Sequence, residues 1–271
     1  MTRTRIVGIV LVRDEDIFVE QAVRNVLGFC DEIFLADNGS RDGTLAILKR
    51  LVAERPDKLR LHRIAHPRES HELIKGFAGE PVWVFGIDGD ELYDPAGLSQ
   101  LRTRLLAGDH EDAWLVRGNV LHCVELDDAR SAARGYLSPP APSMTKLHNF
   151  SLIESWDGQG RNPERLHGPA GLRFKPGTTD RKLELNRTAA WDDSIFRCLH
   201  VCFLPRSTRD VEATARRNIP DQNAPRRLPR RLWTRLMELT GRPEQSKWKE
   251  NYRVGPVVGV STDPFFRVTG A

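Results

Sequence analysis

Two clusters of acidic residues each follow a predicted buried strand. The first begins with Asp37 in the sequence IFLADNGSRDGT at residues 33–44, and the second is DGDE at residues 88–91. Carboxylates beside glycines, which let a ligand approach the backbone closely, suit a polar ligand and an oxygen-preferring divalent cation. Turn formation or helix capping is the alternative explanation for aspartates in such positions.

Alternating strands and helices must position these clusters. Short apolar runs predict strands at residues 6–12, 32–36, 59–64, 82–87, 113–124 and 195–204, and apolar residues at helical spacing predict helices at 17–27, 44–53, 69–77 and 95–107. This order is typical of βαβ units and a mostly parallel sheet. Ligands of such sheets bind outside the carboxyl ends of the strands, where both acidic clusters are expected.

Three short motifs follow one another along the first 100 or so positions. They are IVLVRDE at residues 9–15, DNGSRDGT at residues 37–44 and DGD at residues 88–90. Together they resemble an inverting family 2 glycosyltransferase of EC class 2.4. The resemblance implies an α/β GT-A-type nucleotide-sugar-binding fold, with a mostly parallel central sheet flanked by helices and, in this chain, a basic C-terminal helical extension.

The same resemblance implies roles for individual residues. Asp37 is similar to the carboxylate that contacts the nucleobase or ribose of a nucleotide-sugar. Asp88 resembles the first DxD aspartate, near ribose and metal, and Asp90 resembles the aspartate that binds the Mn²⁺ or Mg²⁺ cofactor. The other expected nucleotide-sugar-binding residues are Val12, Arg13, Glu15, Arg68 and Gly89. An ordinary surface position is the alternative explanation for Arg13 and Arg68.

Inverting transfer needs a carboxylate that accepts the proton of the attacking hydroxyl. The Glu-Asp pair that many family members carry after the DxD is absent from its usual context. A subgroup instead has Arg-Leu-Phe-Arg followed by aromatic-x-Gly-x-x-His-Glu, which TKLHN at 145–149 and WDGQGRNPERL at 156–166 resemble. On that match Glu164 is the first candidate base and Asp157 the second. Capping, or pairing with Arg161 or Arg165, is the alternative role for both.

His200 has three possible roles. Along a predicted strand, Cys198, His200 and Cys202 alternate onto one face. A zinc site is one explanation, but on a straight strand these ligands spread over roughly 13 Å, too far for one tetrahedral ion. A satisfied core histidine is the second. The third is a further ligand of the active-site metal, which the resemblance implies because many GT-A enzymes have a late histidine there.

Charge is unevenly distributed along the chain. The 271 residues include 41 Lys and Arg against 37 Asp and Glu, a net charge of +4. Residues 206–253 hold 13 basic and 6 acidic residues, so they carry +7 and the remainder −3. We expect a catalytic domain at 1–205, with a nucleotide-binding half at 1–110 and an acceptor-side half at 111–205, and a basic extension at 206–271. The extension is either a solvated helical surface or attracts an anionic partner.

Apolar runs are too short for a membrane span. The longest, at residues 6–12, has seven residues against the roughly 20 that a spanning helix needs, and no cleavage site follows it. We therefore expect a cytoplasmic protein with reduced cysteines.

The expected partner is a UDP-, GDP- or dTDP-sugar donor, and the acceptor stays unidentified. The extension offers a homodimer contact or a peripheral membrane contact. We expect no nucleic-acid partner, because few aromatic residues accompany the arginines at 216–231 and no nucleic-acid-binding motif is present.

Other functional classes fit the sequence less well. One alternative is a non-catalytic nucleotide-sugar-binding protein with a GT-A-like fold. Another is a sugar-nucleotide pyrophosphorylase, although the first strand ends in VRDE at residues 12–15 rather than in a glycine-rich loop. NAD dehydrogenases and P-loop NTPases are excluded, because their glycine motifs are absent.

Overall fold

The computed structural model describes residues 3–156, 172–210 and 250–266. The strands in this part of the chain are, in order, β1 (Arg5–Val12), β2 (Glu32–Asp37), β3 (Leu59–Arg63), β4 (Val82–Asp88), β5 (Glu91–Tyr93), β6 (Leu115–Arg117), β7 (Asn119–Leu126), β8 (Ala132–Ser138), β9 (Lys146–Asn149), β10 (Ile153–Trp156), β11 (Leu172–Phe174), β12 (Lys182–Glu184), β13 (Arg197–His200) and β14 (Val257–Ser261).

Helices of different lengths connect and flank these strands. The α-helices are α1 (Val19–Val26), α2 (Thr44–Glu54), α3 (Pro95–Leu106), α4 (Leu185–Thr188) and α5 (Asp263–Phe266), and 3₁₀ helices lie at Pro67–Leu73, Lys75–Phe77 and Phe150–Leu152. As predicted, α3 begins at residue 95, which is the proline that directly follows Asp94. The Asp94 side chain accepts a hydrogen bond from the Ala96 N–H at 3.0 Å, and proline occupies the first turn. No helix of the described residues is long and apolar enough to cross a membrane.

A seven-stranded, mostly parallel sheet forms the centre of the fold. Its order is β12-β6-β9-β4-β1-β2-β3, and β9 runs antiparallel to both of its neighbours. The central strands β1 and β4 are buried on both faces, because their sequences are apolar without alternation. One face packs against a core that includes residues of α1 and α3. This architecture confirms the predicted α/β fold with a mostly parallel sheet.

Five other strands form a second sheet. Its order is β14-β8-β7-β13-β5, and β10 pairs with β11 in a separate two-stranded sheet. Strand β14 comes from the predicted extension, and Phe265 of α5 is fully buried in a core cluster with Phe18 and Trp191. The described end of the chain is therefore part of the folded core, while the boundary at residue 205 stays a prediction.

Three predicted elements differ from the structure. Residues 69–77 form two short 3₁₀ helices instead of one α-helix, since serine, histidine and glycine here are poor helix formers. The predicted strand at 195–204 is shorter, because the chain turns after His200. The predicted strand at 113–124 is two strands, β6 and β7, which belong to different sheets.

Gly118 separates β6 from β7. A Cβ atom added at this position would lie 2.2 Å from the carbonyl oxygen of Phe196 and 2.8 Å from its ring. The Gly118 N–H donates a hydrogen bond to Thr145 Oγ1 at 2.8 Å. Only glycine lets the chain pass this close to Phe196 as it moves from one sheet to the other.

We predict that Gly118→Ala destabilises the protein by about 1–3 kcal/mol, because the added methyl group must displace a buried backbone. Urea unfolding followed by circular dichroism measures this loss. Gly28→Ala is the matched control, since a Cβ there meets no atom within 4 Å. Equal unfolding midpoints for the two variants would contradict the prediction.

Candidate functional site

The carboxyl ends of three parallel strands place the predicted acidic residues at one edge of the central sheet. In the strand register, Val12 of β1 pairs with Asp37 of β2, and Leu11 pairs with Asp88 of β4. Neighbouring parallel strands lie about 4.8 Å apart. The structure therefore brings together the two acidic clusters that are more than 40 residues apart in sequence.

Asp37 is a fully buried carboxylate with an incompletely satisfied oxygen. Its Oδ1 accepts a hydrogen bond from the Ser40 N–H at 3.2 Å. Its Oδ2 has no hydrogen-bond partner among the described residues, and the nearest cation is the exposed Arg63, with Nε at 4.0 Å. A buried oxygen without a partner costs free energy, so this atom is suited to accept a hydrogen bond from a ligand.

Asn38 extends this polar surface and was missed by sequence analysis. The residue is buried, and neither atom of its amide group has a hydrogen-bond partner in the described part of the chain. Its own backbone N–H donates to the Val12 carbonyl at 2.9 Å, which fixes its position at the ends of β1 and β2. Its place directly after Asp37 was the only signal in the sequence.

The DGDE turn joins the two sheets. Asp88 ends β4 of the central sheet, and Glu91 begins β5 of the second sheet. Asp90, between them, is 2 % exposed and lies at the junction. Its Oδ2 contacts the guanidinium of Arg206, and the same oxygen lies 3.7 Å from His200 Nε2.

Lys146 is the buried counter-ion of this turn, and sequence analysis missed its role. Its Nζ lies 2.7 Å from Glu91 Oε1 and 3.1 Å from Asp88 Oδ2. Burial opposes its charge, but the two carboxylates outweigh that effect and raise the pKa of Lys146. Burial also raises the pKa of Glu91 to about 7, against the opposing attraction of Lys146.

Arg206 is a second buried cation at the edge. Besides Asp90, its guanidinium contacts Glu15, with Nη1 3.3 Å from Oε1. These carboxylates raise the pKa of Arg206 although burial opposes the charge. Sequence analysis counted this residue only as part of the basic extension.

Gly89 permits close contact between the first strand and the DGDE turn. A Cβ added to Gly89 would lie 2.1 Å from Glu15 Oε2 and 2.8 Å from Val12 Cγ1. The structure therefore places three predicted nucleotide-sugar-binding residues side by side: Val12, Glu15 and Gly89. Arg13 follows directly and is half-buried.

The segment after β13 is hydrogen-bonded to the turns that follow β1 and β2. Ser207 Oγ donates to Asp42 Oδ2 at 2.6 Å. The Thr208 N–H and hydroxyl both donate to the Asp16 carboxylate at 2.7 Å. These contacts hold residues 206–208, here called the docking segment, against the candidate site.

His200, which lies close to Asp90, contacts a second buried histidine, His122. His200 Nδ1 is 2.9 Å from His122 Nδ1, and His122 Nε2 is 2.8 Å from the Pro142 carbonyl oxygen. Burial lowers the pKa of His122 to about 3 and that of His200 to about 4, so both rings are neutral at pH 7. Tyr252 stacks on the His122 ring at 4.4 Å with an interplanar angle of 3°.

The predicted cysteine–histidine face differs from the structure. The chain turns after β13, which ends at His200, and Cys202 thereby lies near His122 instead of continuing along a strand. Ligand atoms of His122, His200 and Cys202 lie within 4.8 Å of one another, and Cys198 is not in this group.

A divalent cation fits beside Asp90 and His200. A carboxylate oxygen and an imidazole nitrogen lie 3.7 Å apart there, within the ~4.2 Å that two bonds of ~2.1 Å can span, and the Arg206 guanidinium contacts the same oxygen. This donor set suits Mn²⁺, and Asp88 of the same turn offers a second carboxylate.

Several predicted site residues lie outside the described residues. These are both candidate bases, Asp157 and Glu164, and the side chain of Arg68, whose backbone lies in a 3₁₀ helix. Most of the basic extension, residues 211–249, is also outside.

We predict that Lys146→Met destabilises the protein by about 3–5 kcal/mol, because it leaves the buried Glu91 carboxylate without its cation. Denaturant unfolding measures the loss, with the exposed Lys182 of the same sheet as the control in Lys182→Met. Adding Glu91→Gln to Lys146→Met should recover part of the loss. A double variant at least as unstable as the sum of both single variants would contradict this explanation.

Solved structures share a limited likeness with this chain. A structure of S. aureus TarS 1-349 in complex with UDP has a TM-score of 0.42 and 13% identity, over 72% of this chain and 60% of that one. A glucosyl-3-phosphoglycerate synthase from Mycobacterium tuberculosis, in complex with Mn²⁺, UDP and glucosyl-3-phosphoglycerate, has a TM-score of 0.30 and 17% identity, over 47% of this chain and 46% of that one. This chain thus spans about half of each of those two chains.

No curated protein matches the chain significantly in sequence. The family model described as "Glycosyl transferase family 2" matches residues 9–122. The matched segment runs from β1 to His122 in β7 and contains all three motifs, with Asp37 and Asp88 at strand ends as predicted and Asp90 in the turn that follows β4. Over residues 9–122 this chain is therefore similar to glycosyl transferase family 2.

Proposed function

We propose that the chain is a glycosyltransferase that moves a sugar from a nucleotide-sugar donor to an acceptor hydroxyl, with inversion and with a divalent cation. The family match of residues 9–122 supports the reaction class. The observation that carries the proposal is the edge of the sheet itself, where the buried Asp37 carboxylate ends β2 and the Asp90–His200 pair lies just beyond the end of β4. A nucleotide and a diphosphate-bound cation need those two kinds of group.

Asp37 and Asn38 bind the nucleoside in this proposal. Asp37 Oδ2 accepts a hydrogen bond from the base or ribose, and the Asn38 amide both donates and accepts. Val12, Glu15 and Gly89 form the adjoining wall, and Arg13 and Arg68 contact the diphosphate. The roles of Asp37 and Asn38 satisfy buried polar atoms that have no hydrogen-bond partner among the described residues.

Asp90, His200 and Asp88 hold the cation. When bound, Mn²⁺ or Mg²⁺ neutralises the charge that develops on the diphosphate as the sugar leaves. The chain contributes fixed charges around that position. Lys146 holds Asp88 through a 3.1 Å contact, and Arg206 balances Asp90 and Glu15.

The catalytic base is Glu164 or, as the second candidate, Asp157. Either carboxylate accepts the acceptor hydroxyl's proton as the hydroxyl oxygen attacks the anomeric carbon from the side opposite the diphosphate. The acceptor is not identified by the described residues. The basic extension attracts an anionic acceptor, a membrane surface or a second copy of the chain.

We predict that one of the nucleotides UDP, GDP and dTDP raises the melting temperature of the protein by about 5–10 °C when it is added with Mn²⁺ at about 100 times its dissociation constant. Asp90→Asn should remove the Mn²⁺-dependent part of this increase, because it takes a negative ligand from the cation. Differential scanning fluorimetry measures both effects.

Asp112→Asn is the matched control, since Asp112 is exposed and pairs with Arg181 away from the site. The control should respond like the unsubstituted chain. If Asp90→Asn kept the full Mn²⁺-dependent increase, the cation assignment would be wrong. If no nucleotide raised the melting temperature, the proposed function itself would be wrong.

We predict that replacing the true base lowers sugar transfer about 100- to 10,000-fold while leaving nucleotide binding intact. Glu164→Gln and Asp157→Asn test the two candidates separately, and the exposed Glu154 supplies the control Glu154→Gln. Transfer is measured as nucleotide release with a panel of acceptors. Unchanged turnover in both variants would reject both bases, and nucleotide binding without any transfer by the unsubstituted chain would favour the non-catalytic alternative.

A further inference from the structure

The ring nitrogens of His122 and His200 form a chain of hydrogen bonds with a fixed direction. At one end is the carbonyl oxygen of Pro142, 2.8 Å from His122 Nε2. A carbonyl oxygen only accepts hydrogen bonds, so His122 carries a proton on Nε2. The direction of this chain of hydrogen bonds is thereby set at a backbone atom.

Burial then determines the other nitrogen of His122. The ring is 0 % exposed and packs face to face with Tyr252, near the apolar side chains of Met144 and Phe203. A second proton would place a cation in these surroundings, which is costly. His122 is therefore neutral, and its Nδ1 presents a lone pair to His200.

The next link fixes His200. Its Nδ1 lies 2.9 Å from His122 Nδ1, and a hydrogen bond at this distance needs one donor and one acceptor. Because His122 Nδ1 is the acceptor, His200 Nδ1 is the donor. The neutral His200 ring then has its lone pair on Nε2, the nitrogen that faces Asp90.

The last link points to a cation. A nitrogen lone pair faces the Asp90 carboxylate oxygen across 3.7 Å, and the Arg206 guanidinium, which contacts the same oxygen, supplies one positive charge there. A divalent cation that binds both atoms stabilises the arrangement further. The opposite tautomer of His200 would donate its Nε2 proton to Asp90 and block metal binding at that nitrogen. The position of one proton on His200 thus determines whether the ring is a metal ligand.

We propose that His122 is a positioning residue that holds His200 in the tautomer with its Nε2 lone pair directed at the cation site. The inference rests on the proposed function, since it assigns the cation to Asp90 and His200. It adds a residue that touches neither donor nor cation. The neighbouring positions of the histidines are fixed by the parallel pairing of β7 and β13, in which His122 and His200 are partners.

Nuclear magnetic resonance of histidines labelled with ¹⁵N tests the proton positions without metal. We expect the proton of His122 on Nε2 and that of His200 on Nδ1. His122→Leu removes the acceptor and should move the proton of His200 to Nε2, where Asp90 accepts it. His122→Asn keeps an acceptor, because the Asn Oδ1 atom occupies the place of His Nδ1, and should leave the tautomer of His200 unchanged.

Mn²⁺ binding, measured by titration calorimetry with UDP present, tests the consequence. We expect His122→Leu to weaken Mn²⁺ affinity about 10- to 100-fold, as the loss of a group that orients a metal ligand does. His122→Asn should restore affinity to within about threefold, and the exposed His66 supplies the control His66→Leu. Unfolding midpoints of all variants identify any variant that fails to fold. If His122→Leu fails to fold, the tautomer and the Mn²⁺ affinity of His122→Asn decide the test.

Distinct results overturn the inference and the proposed function. If His200→Ala loses Mn²⁺ affinity but neither His122 variant changes it or the tautomer, only the inference is wrong. If His200→Ala leaves Mn²⁺ affinity unchanged, the cation site of the proposed function is wrong, and the inference with it. Stoichiometric zinc in the purified chain that Cys202→Ser abolishes would also overturn the inference, because zinc on His122, His200 and Cys202 would replace the hydrogen bond.

Discussion

The candidate site depends on buried cations that neutralise the negative charge concentrated at one edge of the central sheet. Five carboxylates lie there, and all but the half-buried Asp88 are buried: Glu15, Asp37, Asp88, Asp90 and Glu91. Buried like charges repel strongly, because the protein interior screens them far less than water does. Two buried cations make this arrangement stable, and each contacts two carboxylates. Lys146 contacts Asp88 and Glu91, and Arg206 contacts Asp90 and Glu15.

Both cations come from parts of the chain far from the acidic motifs. Lys146 begins β9, the strand that runs antiparallel to both of its neighbours in the central sheet. In the strand register, Lys146 pairs with Gly86 of β4. Arg206 begins the docking segment, whose Ser207 and Thr208 side chains donate hydrogen bonds to the turns after β2 and β1. Residues 1–110 therefore do not supply the two buried cations that contact four of their own carboxylates. These ion pairs form only when Lys146 and Arg206 are folded against the acidic edge.

The sequence predicted the strands that bear the acidic residues and missed the groups that balance them. Strands β1, β2 and β4 are recognisable because each is a short apolar run, and Asp37 and Asp88 stand at their ends. The roles of Lys146 and His122 depend on which residues pair across neighbouring strands, and the sequence of one strand does not contain that register. Gly118 stands between the polar residues Arg117 and Asn119, an interruption that sequence analysis read through as one strand. The contact with Phe196 explains why the chain breaks between the sheets at this glycine.

The family match ends at His122, and the docking segment begins more than 80 residues later. A graft of residues 9–122 onto another scaffold would carry the recognisable motifs but leave behind Lys146, His200 and Arg206. Such a chimera would expose an uncompensated acidic edge with two of its three proposed metal ligands, Asp88 and Asp90. The smallest transferable unit of this protein is thus discontinuous, and it includes β9, β13 and residues 206–208 as obligatory parts.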